Sequence, residues 1–63
     1  MDPNVKRATS FAQEFTKANP ELGLEIMDLY QLMIDEIDEG GSPSNEADHF
    51  ISACEDLLKQ DKE

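Results

Sequence analysis

Three dipeptides constrain this chain more than anything else in it: "DP" at Asp2-Pro3, "NP" at Asn19-Pro20 and "SP" at Ser42-Pro43. In each, a short polar side chain can accept a hydrogen bond from the orphan amides of a first helical turn. The proline that follows has its φ preset for the helix and lacks the N–H that would go unpaired there. Three such starts predict three helices. The doublet Gly40-Gly41, just ahead of the third start, predicts a stop, because glycine enters the left-handed conformation at little cost. No segment sustains the alternation of a half-buried strand, and there is no internal repeat. The expected helices span about 3–18, 20–39 and 43–60, in one small domain covering 1–63.

The apolar periodicity agrees. Val5, Ala8, Phe11, Ala12 and Phe15 follow helical spacing in the first segment, with Lys6, Arg7, Glu14 and Lys17 opposite. In the third, Ala47, Phe50, Ile51, Ala53, Cys54, Leu57 and Leu58 share a face, and Asp48, Ser52, Glu55, Asp56 and Lys59 take the other. In the second segment Leu22, Ile26, Met27, Leu29, Tyr30, Met33, Ile34 and Ile37 cover an arc of roughly 160° on a helix of about 3.6 residues per turn. Leu24 and Leu32 fall outside that arc, among Glu21, Glu25, Asp28 and Glu36. The connections are short, so consecutive helices should run roughly antiparallel or fold into a compact V. The expected fold is all-α: a helical hairpin over about 20–60 with the N-terminal helix packed across it. Its surplus apolar surface should be buried in a homodimer, the alternative being a compact monomeric bundle.

The stretch "DEIDEGGSPSNE", Asp35–Glu46, invites comparison with a calcium loop. With Gly40 at loop position 6, Asp35 takes position 1, Glu39 position 5 and Glu46 position 12. Position 3 is then Ile37, which cannot ligate a hard cation. Ile37 belongs instead to the apolar arc of the second helix, and Asp35, Glu36, Asp38 and Glu39 to the solvated face of its last turns. No metal and no other cofactor is expected.

Size and charge narrow the partners. A 63-residue chain buries only about 60% of its unfolded surface. Cys54 is the single cysteine and His49 the single histidine, so neither a disulfide within the chain nor a zinc cluster can supplement the core. A lone cysteine, with neither a signal-peptide h-region nor a membrane-length apolar run, points to the cytoplasm. The formal net charge is −10 and unevenly spread: residues 1–19 carry +1, residues 20–63 carry −11. Direct binding to nucleic acid or to an anionic membrane is disfavoured, and a basic or nucleic-acid-binding protein partner is favoured.

No catalytic constellation is present. His49 and Cys54 stand five apart on different faces, the acids have no evident cleft to raise one pKa, and "GG" is not a phosphate loop. The chain reads as a non-enzyme with no small-molecule substrate. Two interaction roles remain. In the first, a regulatory protein binds a protein partner through apolar anchors and an acidic rim. The candidate anchors are Leu24, Met27, Tyr30 and Leu32, and the candidate acids Asp28, Asp35, Glu36 and Glu39. In the alternative, the row Asp28, Asp35, Glu36, Asp38 and Glu39 imitates phosphates and blocks a DNA- or RNA-binding protein.

The segment "LYQLMIDEIDEGGSPSNEADHFISACEDLL", Leu29–Leu58, resembles small acidic early-region accessory proteins of lambdoid bacteriophages. In these a helix closing on a "DEIxEGGS" pattern is followed by a second helix with an acid-apolar-cysteine run. The resemblance implies an early protein that modulates a host protein in the host cytoplasm, and it transfers no functional residue.

Overall fold

A computed structural model describes residues 2–61; Met1, Lys62 and Glu63 of the expected domain lie outside the described residues. Among the described residues there are three α-helices and one 3-10 turn: α1 (Pro3–Ala18), the turn (Pro20–Leu22), α2 (Gly23–Asp38) and α3 (Pro43–Asp61). The fold is all-α, as the caps and periodicities predict. Asp2 caps α1 as expected: it is extended, and its Oδ1 accepts from the Asn4 N–H at 2.8 Å.

Asn19 departs from expectation. Its side chain does not cap the second helix; its Nδ2 donates to the Phe15 carbonyl at 3.1 Å, and its backbone N–H donates to the same carbonyl at 2.9 Å. It therefore closes α1. Pro20 opens a 3-10 turn, and α2 begins only at Gly23. The physical reason is that asparagine carries a donor as well as an acceptor. The free carbonyls at the end of α1 lie closer to it than the amides of a helix that begins four residues later.

The end of α2 is fixed by its glycines. Gly40 has φ +104°, its N–H donates to the Ile37 carbonyl at 3.0 Å, and the Gly41 N–H donates to the Glu36 carbonyl at 2.8 Å. These two bonds form a Schellman closure. Gly41 is required for a second reason: a Cβ there would stand 2.7 Å from the Glu36 oxygen. Residues 35–38 are thus helical, and Ile37 packs against the core. Ser42 then starts α3, its carbonyl accepting from the Glu46 N–H at 2.9 Å.

The core runs along the line where the helices meet. Ala8 of α1, Leu22 of the turn, Ile26 and Met33 of α2, and Ala47, Phe50 and Cys54 of α3 are buried. Phe50 ties all three helices together. Its ring meets Phe11 of α1 edge-on at 6.5 Å and Tyr30 of α2 edge-on at 5.8 Å, and Phe11 stacks on Phe15 at 5.3 Å. Burial holds the Cys54 thiol up at about 11, with Glu55 adding to the shift. The Tyr30 hydroxyl shares a 2.7 Å hydrogen bond with Thr9 Oγ1, and Thr9 Oγ1 also donates to the Val5 carbonyl. Arg7 reaches across to Asp48 at 2.8 Å, joining α1 to α3. That ion pair is exposed at both ends, so it adds at most about 1 kcal/mol. No helix among the described residues is long and apolar enough to cross a membrane.

Candidate functional site

The eight residues singled out in the sequence do not form one patch. Leu32 and Glu36 line a hollow on one side of α2, Leu24, Met27 and Tyr30 line a groove on the other, and Asp28, Asp35 and Glu39 line neither.

The first surface is a hollow between α2 and α3. Its floor is apolar, formed by Leu29, Met33, Phe50 and Ala53. Leu32 stands at its edge with 55% of its surface exposed. Glu36, Glu46 and Asp56 line the same hollow, together with His49. Leu32 owes its place to helical phase. It follows Asp28 by four residues and precedes Asp35, Glu36 and Glu39 by three, four and seven, so these acids flank it on the outward side of α2, Glu36 toward the hollow and Asp28 and Asp35 toward the ridge that carries Leu24. Every one of those four carboxylates is exposed. Asp35 is additionally held by Gln31, whose Nε2 donates to its Oδ1 at 3.1 Å. The last turn of α2 contains no basic residue, so Asp35, Glu36, Asp38 and Glu39 sit at the negative end of a helix dipole without local compensation.

The second surface is a groove of about 800 Å³ between α1 and α2. Leu24, Met27 and Tyr30 line it from α2; Thr9, Ala12 and Thr16 line it from α1. Met27, placed on the buried arc by its spacing, is 65% exposed, and Leu24 is 77% exposed. The cause lies in α1. It turns small side chains toward α2 along this stretch, too short to reach Met27. Tyr30 is half-buried, with one edge against Phe50 and its hydroxyl on Thr9, so it acts as the groove's wall rather than as a projecting anchor.

Spacing singles out Leu24 and Leu32 because they fall outside the apolar arc, among the acids of the solvated face. It missed Glu46, His49 and Asp56 as neighbours of Leu32, since they come from another helix. A short connection with caps on both sides was the available signal that α2 and α3 lie side by side. Cys54 is fully buried in the core and takes no part in either surface. Comparison of the chain with family models, with curated proteins and with solved structures returned no match.

Proposed function

We propose that the protein is a small regulatory binding protein, without enzymatic activity, that captures a basic protein partner at the hollow between α2 and α3. The observation that carries this reading is Leu32: a large apolar side chain, half exposed, at the edge of an apolar-floored hollow whose rim is Glu36, Glu46 and Asp56. An apolar side chain of the partner inserted beside Leu32 and Phe50 would supply the holding contact. Lysine or arginine side chains around it would meet the acidic rim and speed encounter. A cationic partner would also relieve the unfavourable placement of four carboxylates at the C-terminal end of α2. The resemblance of residues 29–58 to early phage accessory proteins makes a host protein in the host cytoplasm the natural partner. The alternative role, an imitation of nucleic-acid phosphates, rests on the row Asp28, Asp35, Glu36, Asp38 and Glu39 and needs no contribution from Leu32.

The test is capture from host-cell lysate by the immobilised chain, with Leu32→Glu beside the unmodified protein and helicity checked by circular dichroism. Loss of the captured protein in the helical Leu32→Glu chain supports binding at the hollow. Undiminished capture contradicts it.

A further inference from the structure

The groove between α1 and α2 has two edges of opposite character. Lys6, Ser10, Gln13 and Lys17 recur at intervals of four, three and four, so they form one ridge along α1. On α2 the corresponding ridge is Leu24, Asp28, Gln31, Asp35 and Asp38, with Glu21 at its N-terminal end. One edge is therefore basic and the other acidic, with an apolar trough of Leu24, Met27, Ala12 and the Tyr30 ring between them. The two helices run antiparallel. Thr9 is level with Tyr30, which it hydrogen bonds, and Thr16 is level with Gly23, whose added Cβ would lie 3.8 Å from it. In that register Lys6 stands near the level of Asp35, and Lys17 near the level of Glu21.

We propose that a second copy of this chain covers the groove, related by a twofold axis that runs along it. About such an axis α1 of each copy lies on α2 of the other, and heights along the helices are preserved. Lys6 of one copy then comes level with Asp35 of the other, and Lys17 with Glu21, on both flanks of the interface. Met27 and Leu24 of the two copies meet in the middle. The other twofold arrangement, with the axis across the helices, lays α2 on α2 and sets carboxylates against carboxylates, so charge selects the first. Size permits it as well. A long side of a body measuring 35 × 18 × 16 Å has a footprint of roughly 600 Å², near the lower end of what each partner gives to a specific interface. The hollow between α2 and α3 faces away from this contact and stays free.

Sedimentation equilibrium of the full chain tests the arrangement. The unmodified protein should report about twice 7.1 kDa at roughly 100 µM, by mass action. Lys6→Glu should weaken the dimer about tenfold or more, and so should Asp35→Lys, because each sets like charges together twice. The double variant Lys6→Glu/Asp35→Lys restores opposite charges across the twofold and should return to within about threefold of the original. Met27→Lys, at the centre, should leave a helical monomer. All three positions are exposed, so circular dichroism should show folding intact. A monomer mass for the unmodified protein over the whole range overturns the proposal, whether the groove stays open or takes a different protein. A dimer indifferent to Met27→Lys overturns it too. A dimer that both single reversals weaken and the double variant fails to restore overturns the twofold along the groove.

Discussion

Cys54 shows how a single side chain can report on the whole core. It sits at 0% exposure among the residues that bind α3 to its neighbours, and burial lifts its thiol from an ordinary value of 9.0 to about 11. A raised pKa means that the folded chain holds this proton more tightly than the unfolded chain does. The associated stability is complete below pH 9 and is lost as pH rises through about 11. Denaturant unfolding at a series of pH values should therefore show a decline over that window. Cys54→Ala should lack the thiol's share of it. Equal declines in the two proteins would mean that the thiol is not desolvated in the native state. Gly41 is the other position where one atom decides the outcome. A Cβ there falls 2.7 Å from the Glu36 carbonyl that the Gly41 N–H binds. Gly41→Ala should lower stability by about 1–3 kcal/mol, within the range of strained-backbone substitutions. A melting temperature unchanged from the parent would show that the turn shifts freely.

Among the elements, α2 is the one at odds with itself. Its end is well closed by Gly40 and Gly41, yet Asp35, Glu36, Asp38 and Glu39 crowd the terminus that favours cations. Glu36→Lys/Glu39→Lys should raise the stability of the free protein by about 0.5–2 kcal/mol, at roughly 0.3–1 kcal/mol for each reversed charge. A fall in stability on thermal melting would show that these acids do structural work. The expected gain sets stability against binding, as at many functional surfaces. The helices themselves were legible in the sequence because each carries its own signals: Asp2 with Pro3, Gly40 with Gly41, and apolar spacing in all three segments. Asn19 departs from its expected role because the residue can serve either neighbouring helix. The choice depends on the 3-10 turn at Pro20–Leu22, which no local pattern announces.

At the scale of the molecule, the packing of three helices turns one irregular stripe into two surfaces. A helical wheel gives the phase of Leu24, Met27 and Leu32 on α2, but it does not say which neighbour stands on which side. For that reason spacing alone sets Met27 both in the apolar arc and among the candidate anchors, and the structure leaves it exposed; nor does spacing show Glu46, His49 and Asp56 beside Leu32. The Arg7–Asp48 pair, 41 residues apart, was equally invisible. The two surfaces call for different chemistry. The groove has matched charged edges that suit a copy of the same chain. The hollow has an apolar floor and an acidic rim that suit a basic partner. The most direct measurement is the affinity of the captured partner for three chains at low and high salt: unmodified, Leu32→Glu, and Glu36→Lys/Glu39→Lys. Binding at the hollow predicts that Leu32→Glu weakens affinity about thirtyfold or more at both salt concentrations, the loss expected when about 2 kcal/mol of central contact is removed. The charge reversals should act mainly on the association rate, and salt should erase most of their effect. Near-normal binding by Leu32→Glu, with collapse of the unmodified protein's affinity in salt and severe loss in the reversed chain, would contradict the hollow and assign the activity to the row of carboxylates.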